Sequence, residues 1–190
     1  MLFNLRYKKT NSIALGIALK ALFILLLLAI PQGWVLANPW RAELPQAKVL
    51  GSGELTWFGL KVYSAKLWSE QKTFDPNSPY ALELTYQRRI SREQFVETSL
   101  DEIKRLFGAR YNDAQLKSWA AEMNRAFTDV KDGDQLIGVH LPGVGCRFYN
   151  RSQLLADIRD PEFAKAFFAI WFDERTKDSQ LRAQLMGVAK

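Results

Sequence analysis

The sequence predicts an α+β fold in which one antiparallel sheet carries its helices on a single face. Runs with a period of two, typical of half-buried strands, cover residues 49–68, 80–88 and 135–158. Apolar residues recur at helical spacing over residues 91–107, 112–127 and 161–171. Because strands and helices are grouped rather than alternating, the pattern favours an antiparallel sheet with segregated helices.

The first 37 residues have the parts of a secretory signal peptide. A basic start precedes the apolar run Ala21–Ile30, and Ala37 supplies a small residue for cleavage. We therefore expect residues 1–37 to be a signal peptide and residues 38–190 to form one domain of an exported, periplasmic protein. The alternative is an uncleaved anchor in the cytoplasmic membrane, because residues 13–30 are long and apolar enough to span it.

The net charge of +6 belongs mostly to this N-terminal segment. Residues 1–37 contain four basic and no acidic residues, so the remainder carries 22 basic and 20 acidic residues. This balance leaves no basic patch for nucleic acid. We expect membrane contact only through an uncleaved N-terminal segment, and the sequence leaves the oligomeric state open.

The first element of the domain is a hairpin over residues 49–68. Gly51 and Gly53 lie inside its first strand, where they indicate a bulge or the close approach of another segment. Simple alternation along the second strand places Lys61 and Tyr63 on the same face.

The elements on either side of this hairpin follow from local signals. Asn38–Lys48, before it, shows no clear period and is interpreted as an extended lead-in. After it, Tyr80–Arg88 alternates as a third strand with Tyr86 on its apolar face. Ser91 and Gln94 then form a capping box, which predicts the start of the first helix.

The second half of the domain repeats the sheet-then-helix order. A second helix begins at Asn112, and three strands follow at Gln135–Leu141, Gly145–Tyr149 and Leu154–Ile158. Asp160-Pro161 is a strong helix start. The helix after it has little polar surface, so we expect it to be almost wholly buried. A last short helix is predicted around Ser179–Met186.

Signatures of common catalytic centres are missing from the sequence. It contains no glycine-rich phosphate loop, no cluster of metal ligands and no nucleophile elbow, so we expect no cofactor and no metal. His140 is the only histidine and Cys146 the only cysteine. We expect both to be structural residues of the sheet.

Four residues of the predicted sheet are candidate ligand contacts. Lys61 and Tyr63 place a cation and a phenol two positions apart, a pair suited to hold a carboxylate or phenolate at the end of an apolar slot. Tyr86 and Arg88 offer a similar pair at the end of the third strand. The alternative is that each cation faces solvent beside a packed tyrosine.

Several motifs together resemble the chalcone isomerase-like family, and its bacterial exported branch in particular. They are Gly51-x-Gly53, Lys61-Val-Tyr-x-Ala-x-Leu-Trp68, Pro142-Gly-x-Gly145 and Asp160-Pro-Glu-Phe-Ala-Lys-Ala-Phe-Phe-Ala-Ile-Trp171. The resemblance covers Pro45 to Gly187 and implies an open-faced β-sandwich, a large antiparallel sheet with helices packed on one face. The family contains plant enzymes that close a chalcone to a flavanone, and relatives that bind fatty acids without catalysis.

The residues of the plant enzymes transfer poorly to this sequence. Their phenolate-stabilising arginine falls near Glu54–Thr56, and their strand threonine matches Tyr63, a tyrosine as in the fatty-acid-binding branch. Lys61 alone matches a polar position beside that threonine. Their tyrosine before the first helix falls on Ile90, and their helix asparagine falls near Thr98. Their hydroxyl residue on the late helix meets only Phe167–Trp171.

The resemblance therefore implies an exported, non-catalytic binder of a small apolar or fatty-acid-like ligand. The alternative is an isomerase, an intramolecular lyase, that acts on a chalcone-like substrate through a rearranged site.

Overall fold

The computed structural model describes residues 38–188, and the expected signal peptide or anchor lies outside them. Six strands form one antiparallel sheet in sequence order: β1 (Lys48–Trp57), β2 (Leu60–Ser69), β3 (Tyr80–Tyr86), β4 (Gln135–Leu141), β5 (Gly145–Tyr149) and β6 (Leu154–Ile158). Four α-helices accompany it: α1 (Arg92–Phe107), α2 (Asp113–Ala126), α3 (Pro161–Phe172) and α4 (Ser179–Leu185). The predicted α+β class is confirmed.

The helices begin where the sequence predicts because side chains cap them. The Ser91 hydroxyl accepts from the Gln94 amide while the Gln94 side chain accepts from the Ser91 amide, a complete capping box. The Asp160 carboxylate accepts from two amides of the first turn of α3, which has Pro161 at its first position. None of the helices in residues 38–188 is long and apolar enough to cross a lipid bilayer.

Helices pack on one sheet face, which we call the inner face, and α3 is the most buried of them. Phe163, Phe167 and Trp171 of its predicted apolar stripe are buried together with Phe168, whereas Ile170 of that stripe is half-buried. A Cβ atom added at Gly138 of β4 would lie 3.0 Å from the Phe168 ring. The glycine therefore lets α3 approach the sheet closely.

The segment before β1 covers part of the opposite face, the outer face. Residues 39–42 form a 3-10 turn, and Trp40 and Leu44, four positions apart, pack against Ala81 and Val139 in a second small core. The Arg41 guanidinium lies 4.0 Å from the centre of the Trp68 ring. The expectation of an extended lead-in is therefore wrong, because this turn buries two large apolar side chains on the sheet.

The glycines of β1 accommodate α4, as their position in a strand suggests. A Cβ atom at Gly51 would lie 2.1 Å from the carbonyl oxygen of Gln184, and one at Gly53 would lie 2.8 Å from the Leu181 side chain. No other residue leaves room for the helix backbone at Gly51. The predicted close approach of another segment is confirmed.

A β-bulge in β2 changes which residues share a face. Leu55 pairs with Tyr63 but Thr56 pairs with Lys61, so Val62 is an extra residue in β2. Because one inserted residue inverts the alternation, Lys61 lies on the face opposite to Tyr63. The expectation that Lys61 and Tyr63 share a face is therefore wrong.

Candidate ligand-binding site

Two tyrosines stand side by side on the inner face of the sheet. Tyr63 of β2 is directly opposite Tyr86 of β3, and their ring centres are 6.0 Å apart in an edge-on arrangement. The Tyr63 hydroxyl accepts a hydrogen bond of 2.9 Å from Nε1 of Trp171 on α3. That acceptance leaves the hydrogen of the Tyr63 hydroxyl free to donate.

The Tyr86 hydroxyl is buried and has no hydrogen-bond partner among residues 38–188. Burial raises the pKa of both Tyr63 and Tyr86 well above the ordinary value of 10. Both groups are therefore neutral phenols that act as donors at any physiological pH. A buried donor without an acceptor typically costs about 1–3 kcal/mol, so such groups call for a functional explanation.

A cleft of about 370 Å³ opens between the start of α1, the α2–β4 loop and the β5–β6 turn, and neither tyrosine lines it. Its apolar lining consists of Phe95, Phe127, Val130, Leu136 and Leu155. The half-buried Phe95 ring separates the cleft from Tyr86, since its centre lies 5.4 Å from that of Tyr86 and 5.2 Å from that of Phe127. The volume lies at the lower end of the range for small-molecule sites.

The charged groups at the mouth of the cleft differ in the hydrogen bonds that they make. The carboxylate of Asp129 accepts from the Arg92 amide and that of Asp134 from the Lys131 amide, so both are held by backbone donors. The Arg151 guanidinium makes only long contacts, 3.3 Å to the Gln135 side chain and 3.5 Å to a carbonyl oxygen. Arg151 is thus the cation best placed to meet an anionic group at the mouth.

The four sequence-predicted ligand contacts separate into two groups. Tyr63 and Tyr86 lie together on the inner face, whereas Lys61 is exposed and forms an ion pair of 2.9 Å with Glu54. Arg88 is half-buried just beyond β3. The sequence did not reveal Phe95 and Arg151, because only the three-dimensional packing brings α1 and the β5–β6 turn beside β4.

His140 and Cys146 are direct neighbours across β4 and β5 on the inner face. Burial lowers the pKa of His140 to about 4 and raises that of the Cys146 thiol. The histidine stacks on Tyr80 with ring centres 4.8 Å apart. A reactive cysteine needs a thiolate beside a cation, and this pair is neutral and buried, so it resembles core packing rather than a nucleophile.

Of the positions that correspond to plant-enzyme residues, Tyr63 meets Trp171 of the late helix, but the others supply no cation or hydroxyl beside this pair. Glu54 is engaged with Lys61, Thr98 is exposed on α1, and Ile90 pairs with Val130 in an isolated bridge. No cluster of three or more potential metal ligands occurs within residues 38–188.

The protein is thus of the class in which an antiparallel sheet carries helices on one face and has a small cleft at one end. The model of the chalcone isomerase-like family matches residues 32–187, and the chain belongs to this family. An uncharacterised protein of Haemophilus influenzae is 33% identical over 142 residues, which are 74% of this chain and 68% of that protein.

A solved structure, that of a fatty-acid binding protein of Arabidopsis thaliana, has the same fold. It superposes with a TM-score of 0.57 and covers 75% of this chain and 87% of its own, at 12% sequence identity. At this identity the likeness shows the fold alone. The predicted chalcone isomerase-like sheet with helices on one face is confirmed.

Proposed function

We propose that this protein binds a small amphipathic ligand, a fatty acid or a close analogue, between its sheet and helices. The observation that carries the proposal is the buried hydroxyl of Tyr86, which has no hydrogen-bond partner in the described part of the chain. An oxygen of the ligand headgroup accepts from Tyr86, and the hydroxyl of Tyr63 supplies a second donor. The fold shared with a fatty-acid binding protein supports the same class of ligand.

The ligand reaches these donors through the cleft, past Phe95. Phe95 lies in the first turns of α1, is half-buried and contacts Tyr86. The proposal therefore requires its ring to move aside, so that the cleft reaches the tyrosine pair. The apolar lining then contacts the hydrocarbon chain. Neutral donors bind a carboxyl or carbonyl oxygen without requiring a buried cation, and Arg151 at the mouth attracts the anion as it approaches.

The direct test is displacement of a fluorescent fatty-acid analogue by unlabelled fatty acids of different chain lengths. Tyr86→Phe is expected to weaken binding about tenfold, the effect of losing one hydrogen bond to a carboxyl group. Phe95→Ala is expected to bind at least as tightly, because it removes the ring between cleft and hydroxyl. Tyr111→Phe is the matched control, since its hydroxyl contacts Glu162 away from the cleft.

Unchanged affinity in Tyr86→Phe would refute this site. An unaltered displacement curve for every fatty acid with the original protein would refute the ligand class itself.

The chain is proposed to bind without catalysis. Intramolecular addition needs a stabiliser for the developing oxyanion, and the corresponding positions carry Glu54, Ile90 and the exposed Thr98. Cyclisation of 2′-hydroxychalcone is therefore expected to be no faster with the protein than in buffer. A saturable acceleration of about a hundredfold, the size of one such stabilising group, would instead support the isomerase alternative.

We also propose that the domain is exported, on the strength of the signal-like features of residues 1–37. Sequencing of the mature N-terminus in the native host should find Asn38 or a near neighbour. An intact Met1 on membrane-bound protein would favour the anchor formed by residues 13–30.

A further inference from the structure

The turn between β1 and β2 carries three large apolar side chains in solvent. Trp57 is 63% exposed, Phe58 87% and Leu60 59%. We call residues 57–60 the hairpin tip. Taking about 200 Å² as the full area of a large apolar side chain, the tip exposes about 400 Å². An area of this size equals the largest apolar patch on a typical monomer, and such a patch is often functional.

The backbone of the tip makes the exposure of Phe58 more informative. Phe58 has φ of +47° and Gly59 has φ of +76°. Positive φ at both central residues is the geometry for which hairpins favour Asn-Gly, whereas a bulky residue there is strained. Folding alone therefore favours another residue at position 58, because the phenyl ring is almost wholly in solvent and its aromatic contact is with the exposed Trp57 ring, 5.0 Å away.

The tip also projects beyond the rest of the sheet. The last residue of β3, Tyr86, pairs with Tyr63, and the Gln87 amide donates to the Val62 carbonyl. The residues from Lys61 to the turn therefore have a partner in β1 but none in β3. The exposed apolar surface therefore lies at the end of a two-stranded hairpin.

The size and shape of the tip select its partner. A stable protein interface buries about 800 Å² on each side, twice what the tip offers. A bilayer interface needs no complementary shape. Tryptophan favours the level of its headgroups, and phenylalanine and leucine side chains bury at the boundary between headgroups and acyl chains. Arg88 and Arg89 follow β3 beside the base of the hairpin, and neither takes part in an ion pair within residues 38–188. Their charge is complementary to anionic headgroups.

We propose that the hairpin tip inserts Trp57, Phe58 and Leu60 into the interfacial region of an anionic lipid bilayer. This adds a membrane contact to the one expected from the sequence, which involved only an uncleaved N-terminal segment. The proposal does not depend on the ligand site, because it uses neither Tyr86 nor the cleft.

The test places an environment-sensitive fluorophore on the tip of the full chain. Phe58→Cys provides the attachment site, because Cys146 is the only native cysteine and is buried. Lys72→Cys, on the exposed β2–β3 loop at the other end of β2, is the matched control. If the fluorescence changes only for the label at position 58, the change reports on the tip even when the N-terminal segment also binds the vesicles.

Vesicles of phosphatidylcholine with phosphatidylglycerol are expected to shift the emission of the label at position 58 to the blue and leave that at position 72 unchanged. Arg89→Gln should weaken the partition of the tip into the vesicles about fivefold, because this is the contribution of one cation near an anionic surface to membrane affinity. No shift at position 58 would overturn the proposal, and so would equal shifts at both positions. A concentration-dependent shift without vesicles would show that a second copy covers the tip instead.

Discussion

The two neighbouring tyrosines allow the same chemical change, loss of one hydroxyl oxygen, to be made in two different environments. In Tyr86→Phe the oxygen removed is buried without a partner in the described residues. Because a buried unsatisfied hydroxyl costs about 1–3 kcal/mol, the ligand-free protein should gain about 1 kcal/mol or more in its free energy of unfolding.

Tyr63→Phe should have the opposite sign. It removes the acceptor of the 2.9 Å hydrogen bond from Nε1 of Trp171, a residue only 8% exposed. The indole donor then has no partner in a buried position, which costs about 1–3 kcal/mol. The two variants are chemically identical changes on adjacent strands, so general effects of losing a tyrosine hydroxyl cancel in the comparison.

Urea unfolding of protein stripped of bound lipid measures both effects. Equal dependence of the unfolding free energy on urea in all three proteins would show that only native stability has changed. Lipid must be removed first, because a ligand that binds only the native state raises the stability of the original protein. Adding fatty acid should then stabilise the original protein more than Tyr86→Phe.

A loss of more than about 1 kcal/mol in Tyr86→Phe would contradict the reasoning, because it would mean that the hydroxyl already has a good partner. The case for Tyr86 as the headgroup donor would fall with it. Equal losses in both variants would likewise show that the two hydroxyls are equivalent.

Three further predictions concern the scaffold. Gly51→Ala should destabilise the domain by about 2–5 kcal/mol by displacing α4 and its buried leucines. Ser52→Ala, at an exposed position of the same strand, should change stability by less than about 0.5 kcal/mol. Similar effects of both substitutions would disprove the close packing of α4 on Gly51. Phe167→Ala should cost about 3–5 kcal/mol in urea unfolding, and a cost under about 1 kcal/mol would mean that α3 is not core. The pKa of His140, about 4, lies below its unfolded value near 6.5, so the unfolded state protonates first and stability should fall as pH decreases from 6.5 to 4, by about 1.4 kcal/mol per unit. His140→Phe should remove this part of the slope, and an unaltered slope would show that His140 does not cause it.

Local sequence signals were sufficient for the helices. Ser91 with Gln94, and Asp160 with Pro161, are short-range patterns whose hydrogen bonds form within a single turn. The strands were also predictable as segments, because their alternation is local. The sheet face of each strand residue was harder to predict, since the bulge at Val62 places the residues of β2 between it and the turn on the opposite face.

The proposed ligand site was only half predictable for a related reason. The alternation within each strand correctly places Tyr63 and Tyr86 on its inner face, but their adjacency depends on the β2–β3 register. The position of Phe95 depends on how α1 crosses the sheet, and the isolation of the Tyr86 hydroxyl depends on everything packed around it. None of these is a property of residues close in sequence.

The hairpin tip and the cleft lie at the same end of the sheet, the end at which β1, β3 and β5 finish. If both proposals hold, a fatty acid that leaves the bilayer near the tip has a short path to the cleft.

Transfer from vesicles and affinity in solution should then depend on different residues. Phe58→Asn should slow the uptake of fatty acid from anionic vesicles while its affinity in solution stays unchanged, and Tyr86→Phe should weaken affinity while contact of the tip with vesicles is preserved. Stopped-flow transfer of a fluorescent fatty acid measures the first quantity and equilibrium titration the second. A Phe58→Asn protein with normal transfer would disconnect the tip from lipid delivery, because Phe58 is the most exposed aromatic residue of this hairpin.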